Sequence, residues 1–336
     1  MKLVSIIMPI YNGSEHMRNA IESCLAQSYQ NFEIIIIDDG STDNSLQIAT
    51  EYAQLDNRIV IRSQENKGQA SARNAGLKMA TGEYIQFLDC DDTLNKNCLQ
   101  TAIQAFEKYS EADFILFGFN IYAGSRLLRT PNPGDGLYRP NDSFKDFISI
   151  QKLLPSPCNK LYKRTYIAHL FPENRRFAED TIFNYQLLSK QIHVGYISDC
   201  LYNVQLGTAN SVNKGYRQGK IQDYLFAAQL IEDKLVSLFN QEFDLTIHRT
   251  RELATICYLV SSMSNSTKIG TLKSEIDCIY QSAYFRALLQ HAKKLKPVNK
   301  HLCHLILNKK YHLIQMHGWI RMKLHSIYQF LQEKSL

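Results

Sequence analysis

The amino-acid sequence predicts an α/β protein: a Rossmann-like, mostly parallel sheet flanked by helices, followed by a helical C-terminal region. Three observations predict it. Short apolar runs recur at residues 3–8, 32–37, 59–62, 84–88 and 114–117; helical patterns fill the gaps at residues 15–27, 43–54, 69–80 and 95–109; and after Tyr216 the pattern is almost wholly helical. Repeated strand-helix-strand units give parallel strands with right-handed crossovers.

The first strand runs into Pro9-Ile10-Tyr11-Asn12, and the second into Asp38-Asp39-Gly40-Ser41-Thr42-Asp43. The third leads to Asn66-Lys67-Gly68, ahead of a helix containing Ala72-Arg73-Asn74-Ala75-Gly76. The fourth, Tyr84-Ile85-Gln86-Phe87-Leu88, is nearly all apolar, as suits a strand buried on both faces of a parallel sheet, and it ends in Asp89-Cys90-Asp91-Asp92. Residues 121–156 loosen around a turn cluster at 130–136. Order resumes over residues 157–203 around Glu179-Asp180, and the helical region breaks near residues 261–267 and at Pro297. The domain boundary is placed near Lys214, giving residues 1–215 and 216–336.

A chain of 336 residues can bury a full core, and it carries no low-complexity tract or solenoid repeat. Eight irregularly spaced cysteines without Cys-x-x-Cys, and an N-terminus without an apolar core and cleavage site, predict reduced thiols and a cytoplasmic location. No apolar run approaches the roughly 20 residues that cross a bilayer, so any membrane contact is expected to be peripheral; the resemblance given below implies the cytoplasmic face of the inner membrane for it. The net charge of +6 hides an asymmetry: residues 1–100 hold 8 Lys/Arg against 13 Asp/Glu, whereas residues 284–336 hold 10 Lys/Arg against Glu333 alone. An acidic head and a basic tail point to different jobs.

Each of the four loops follows the carboxyl end of a strand, the edge at which open α/β sheets bind ligands. Three acids within four positions repel one another unless a cation or a ring of donors compensates them. A divalent metal is the simplest compensation, and oxygen-only ligation suits Mg²⁺ or Mn²⁺ better than Zn²⁺. Jointly and in this order, the motifs resemble the family 2 glycosyltransferases of the bacterial surface-polysaccharide or lipid-linked glycan type, over roughly residues 3–215. The resemblance implies a GT-A fold, inversion at the anomeric carbon, a nucleotide-sugar donor and a divalent cation.

Carried onto this chain, the resemblance places Pro9 and Tyr11 at the donor, with Tyr11 offering an aromatic face to a pyrimidine. Asp39 would accept the imide N–H of uracil, a donor that cytosine lacks, which favours a UDP-sugar. Read from the residues alone, the same stretch is a turn and helix cap with Asp43 as N-cap and Asp38 structural. Arg73 is expected to face phosphate or nucleobase oxygen; its bland reading is a solvated helix-surface arginine. Asp91 is the expected metal ligand and Asp89 a partner to ribose or metal. Asp92 equally suits a cap for the helix near Asn95, and Cys90 a small filler. Asp180 is the expected base for the acceptor hydroxyl, with Glu179 competing; both also read as acids facing a helix dipole. Asn159-Lys160-Leu161-Tyr162-Lys163-Arg164 resembles a segment lining the pyrophosphate or the acceptor, or else is a solvated face. One departure stands out. Relatives often carry Tyr-x-Tyr-Arg where this chain has Tyr202-Asn203-Val204-Gln205, so basic closure over the pyrophosphate would fall to Lys214 or Arg217.

In the tail, Ile320, Leu324, Ile327 and Leu331 recur at helical spacing beside Trp319, with Arg321, His325 and Gln329 opposite. The stripe reads equally as core packing and as a basic amphipathic helix on anionic lipid. His301 and His304 share a face but lack a completing metal-ligand set, and no aromatic-basic module points to nucleic acid. The partners expected are a UDP-sugar, a saccharide or lipid-linked oligosaccharide acceptor, and an anionic membrane surface. A nucleotidyltransferase would need a Gly-x-Gly-x-x-x-Arg loop where residues 9–13 stand. A catalytically inactive scaffold is disfavoured by Asp39, Asp91 and Asp180 occurring together.

Overall fold

The computed structural model describes residues 2–139, 142–207, 218–240, 243–264 and 267–317. The chain divides into two compact units, Met1–Val212 and Asn213–Leu336. Lys214, Arg217 and the stripe at residues 319–331 lie outside the described residues.

The first unit opens with β1 (Val4–Ile10), α1 (Met17–Leu25), β2 (Phe32–Asp38), α2 (Ser45–Leu55), β3 (Ile59–Ser63), α3 (Gln69–Met79) and β4 (Tyr84–Phe87), in the expected order. All of β1 and β4 and nearly all of β2 are buried. Burial on both faces is why these strands read as continuous apolar runs rather than alternating ones. The unit continues with β5 (Thr93–Leu94), α4 (Cys98–Lys108), β6 (Phe114–Ala123), β7 (Arg126–Arg129), β8 (Gly136–Tyr138), α5 (Phe144–Gln151), β9 (Lys160–Lys163), α6 (Glu179–Leu187) and β10 (Val194–Leu206). Sheet order is β3-β2-β1-β4-β9-β6-β10-β5, with β7 on β6 and β8 on β10. Parallel pairing joins β3, β2, β1 and β4, and also β6 and β10, while β9 runs antiparallel to both its neighbours.

The strand expected to stop at residue 117 continues to Ala123. Past Phe117 its sequence turns to Gly118, Asn120 and Tyr122, which hides the strand from an apolar pattern. Strand β9 gives no apolar run because lysines bracket it.

Pro9 has a structural consequence at the heart of the sheet. Ile7 accepts Leu88 N–H at 3.0 Å, and the next β1 residue facing β4 is Pro9, which has no N–H to continue the ladder. On the other side pairing runs on, with Asp39 N–H donating to Ile10 at 2.9 Å. The sheet therefore opens between β1 and β4. Strand order also reverses there: β1 leads to β2 on one side, whereas β3 crosses back to β4, so right-handed connections put α1 and α3 on opposite faces.

The second unit contains α7 (Lys220–Phe239), α8 (Leu245–Ser264), α9 (Ile269–Gln281), α10 (Ala283–Leu289) and α11 (Pro297–Leu307). Its core gathers Leu225, Leu253, Ile256, Leu272, Ile276, Phe285, Leu302 and Ile306. Glu232, buried within it, accepts from Arg249 and from the Tyr284 hydroxyl. Pro297 opens α11 at a position where its missing N–H has no helical partner to lose. Among the described residues no helix is long and apolar enough to cross a membrane.

Candidate active site

The crevice at the carboxyl edge of β1, β2 and β4 is built from loops that hydrogen-bond to one another. Asn12 holds a left-handed conformation at φ +50°. Its N–H donates to Ser41 Oγ at 3.0 Å and its Oδ1 accepts Thr42 N–H at 2.8 Å. Asp43 accepts the N–H groups of Ser14 (3.1 Å) and Ser45 (3.0 Å). Asp43 thus ties two loops together; the cap position of α2 is Asn44, whose side chain makes no capping bond. Tyr11, beyond the end of β1, is 48% exposed.

Asp38 and Asp39 are both buried and both held by protein donors. Asp38 accepts Ser41 N–H at 3.1 Å and Ser63 Oγ–H at 2.8 Å. Asp39 accepts Gln64 Nε2 (2.8 Å), Lys67 N–H (3.0 Å) and Gly68 N–H (2.8 Å). Gly68 manages this at φ +92°, a conformation that costs glycine little. A carboxylate offers about four acceptor positions, and these three bonds leave one at Asp39.

Arg73 is the centre of the site. It lies in the buried first half of α3, fully enclosed, which removes the reading of a solvated surface arginine. One terminal nitrogen donates to Asp89 Oδ1 at 2.8 Å; the other donates to Asp180 Oδ1 and lies 3.7 Å from Glu179 Oε1. The Phe171 ring lies 5.3 Å from the guanidinium carbon. Each terminal nitrogen has an acidic partner, and Nε is buried without a protein partner.

Glu179 and Asp180 form the first turn of α6, preceded by Ala178 at φ +58°. Burial pushes both carboxyls above the ordinary range, and mutual repulsion adds to the rise at Glu179, while Arg73 pulls both down. Asp180 keeps 32% of its side-chain surface exposed against 15% for Glu179, so Asp180 is the more accessible of the two.

Beyond β4, Asp89 also accepts from Gln69 Nε2 at 2.9 Å. Asp92 is buried and accepts Tyr202 O–H and Gln205 N–H, both at 2.8 Å. It anchors β10 to this loop and does not cap α4, which starts at Cys98. Tyr202 also accepts Asp89 N–H at 3.1 Å, a role that the sequence did not mark. A Cβ on Gly13 would lie 2.9 Å from Cys90 Sγ, and burial, then Asp91, pushes the Cys90 thiol up to about 12, as befits a filler. Asp91 is half-buried and borders a cleft with His16, Asn19, Tyr122 and Gln205.

The donor set suits a hard dication. Among the described residues no three His, Cys, Asp or Glu side chains gather into a metal cage. Asp91 and Asp89 would hold Mg²⁺ or Mn²⁺ with phosphate oxygens and water completing the shell, the mode Mg²⁺ commonly uses.

Lys160 and Asn159, expected at the pyrophosphate or acceptor or else solvated, do neither, for both are buried. The Lys160 ammonium donates to the carbonyls of Leu153 and Leu154, each at 3.0 Å, and to that of Ser156.

A sheet opened at its switch point, with acids at the ends of β2 and β4 and a Glu-Asp pair across an arginine, has the architecture of the GT-A transferases. The profile of Glycosyl transferase family 2 matches residues 5–171. GlyG, a glycosyltransferase of Streptococcus pneumoniae, is 33% identical over 222 residues, covering 60% of this chain and 70% of that one. GgaB, a minor teichoic acid biosynthesis protein of Bacillus subtilis, is 31% identical over 213 residues, covering 60% of this chain but 23% of GgaB. The crystal structure of residues 1–349 of S. aureus TarS in complex with UDP-GlcNAc superposes with a TM-score of 0.69 at 20% identity, covering 96% of this chain and 92% of that one, a likeness of fold. The chain belongs to glycosyltransferase family 2.

Proposed function

We propose that the protein is an inverting glycosyltransferase, with residues 1–215 as its catalytic domain. It moves a hexose or N-acetylhexosamine from a UDP-sugar to a hydroxyl of a saccharide acceptor, free or lipid-linked, in the assembly of surface polysaccharide, lipopolysaccharide or capsule. The observation that carries this reading is Arg73 joining Asp89 on the donor side to Asp180 on the acceptor side. The UDP-GlcNAc bound to TarS and the teichoic acid assignment of GgaB support donor and pathway class.

In this mechanism Tyr11 packs on uracil, and the remaining acceptor position of Asp39 takes the imide N–H. Asp89 and Asp91 face the diphosphate. A bound Mg²⁺ or Mn²⁺ would supply Lewis-acid stabilisation of the departing UDP. Asp180 takes the proton of the acceptor hydroxyl as that oxygen attacks the anomeric carbon opposite UDP, through an oxocarbenium-like transition state. Arg73 holds Asp180 and Asp89 in register, so donor and base stay aligned.

Asp91→Asn tests the metal assignment. With Mn²⁺ present, UDP affinity should fall by at least about tenfold, while binding in chelator stays at the wild-type level; unchanged Mn²⁺ dependence would remove Asp91 from the site.

Residues 216–336 are assigned to an anionic membrane surface at the cytoplasmic face. In the described part, Lys293, Lys294, Lys296, Lys300 and Lys310 are exposed, and so are Leu307, Leu313 and Met316. The full chain should sediment with phosphatidylglycerol vesicles and be released by salt, each Lys→Glu change weakening binding by about 1 kcal/mol. Equal sedimentation with neutral vesicles would leave this region a packing element.

A further inference from the structure

We propose that Lys160, Tyr162 and Asn184 are positioning residues that set the first turn of α6 and thereby aim the Asp180 carboxylate. The inference rests on Asp180 being the base. Asn184, one turn after Asp180, is 3% exposed. Its Nδ2 donates to Asp180 O at 2.9 Å and Pro155 O at 3.1 Å, and its Oδ1 accepts the Tyr162 hydroxyl at 2.6 Å. With three of its four hydrogen-bonding positions filled, the amide has one orientation: flipped, its oxygen would face two carbonyls.

Both anchors of that amide are themselves fixed. Tyr162 is fully buried on β9, and burial keeps its hydroxyl protonated as a donor. Pro155 belongs to the turn after α5, whose carbonyls at Leu153, Leu154 and Ser156 all converge on the Lys160 ammonium, with Asn159 Oδ1 at 2.9 Å as a fourth acceptor. The chain of contacts therefore runs from Lys160 through the turn to Asn184 and the Asp180 backbone. Such support is needed because Ala178, just before the Glu-Asp pair, holds a left-handed conformation that is unfavourable for a residue with a Cβ. None of the three side chains faces the open crevice, so they act on geometry and not on substrate. A displacement of about 1 Å at a reacting group can cost about a hundredfold in rate.

The test uses full-length Tyr162→Phe, Asn184→Ala and their double variant, with Asp180→Asn alongside. UDP release is measured from UDP-glucose, UDP-galactose, UDP-GlcNAc and UDP-GalNAc with water as acceptor, on the donor that the wild type cleaves fastest. Expected are wild-type donor KM and UDP affinity, kcat lowered about tenfold for Tyr162→Phe and about a hundredfold for Asn184→Ala, and a double variant no slower than Asn184→Ala. Tyr162→Phe removes one oxygen from a site whose volume it otherwise keeps, so it carries the test if Asn184→Ala does not fold. Wild-type kcat in folded Tyr162→Phe or Asn184→Ala, independent additive losses in the double variant, or losses confined to KM would overturn the proposal. Failure of the base assignment shows separately, as turnover retained by Asp180→Asn.

Discussion

The Asp180→Asn variant is expected to bind UDP with wild-type affinity and to transfer sugar about 10²–10⁴-fold more slowly, the usual worth of a positioned general base. The amide keeps shape and an acceptor for Arg73 but cannot take a proton. UDP binding should survive because Asp39, Tyr11 and the acids after β4 are untouched. Near-normal turnover would move the base to Glu179, whose carboxyl lies beside the same guanidinium. The pH dependence follows from the same environment. Burial raises the Asp180 carboxyl to about 6 against the pull of Arg73. The base works deprotonated, so kcat should be full above this value and fall as pH drops through it, well before an ordinary carboxylate would titrate. A rate profile flat from pH 7 to 5 would contradict the assignment.

Arg73→Met should have the largest effect on the folded state. The guanidinium is fully buried and serves Asp89, Asp180 and Glu179 together. Its removal leaves acidic side chains crowded without their cation, and breaking a buried ion pair by deleting one partner typically costs about 3–5 kcal/mol. The urea midpoint should shift down at constant slope, and transfer should be lost because donor and acceptor sides are no longer joined. Arg73→Lys restores charge without the planar fork, so it should recover part of the stability and little of the rate. A wild-type midpoint and rate in Arg73→Met would show that the bridge is dispensable.

The parallel half of the sheet was legible in the sequence because strands buried on both faces must be apolar throughout, as β1 and β2 are. The acids after β2 and β4 were legible because they interrupt such strands abruptly. Arg73 was legible as a motif member but not as a buried hub: residues 70–76 of α3 are all buried, so no exposed face marks the arginine by periodicity. Lys160 misled for the opposite reason, since a lysine reads as solvent-facing until the carbonyls around it are seen. Tyr202 and Asn184 left no local signal at all. Their roles depend on partners 113 and 22 residues away, at Asp89 and Tyr162.

A metal-assisted uridine diphosphate site at the opening between β1 and β4 is tested most directly by calorimetric titration of UDP into the full-length protein with Mn²⁺, repeated with chelator and with CDP and GDP. Saturable binding that prefers UDP to both other nucleotides and weakens when Mn²⁺ is removed is the predicted result. Equal binding of the three nucleotides, or binding indifferent to Mn²⁺, would contradict it.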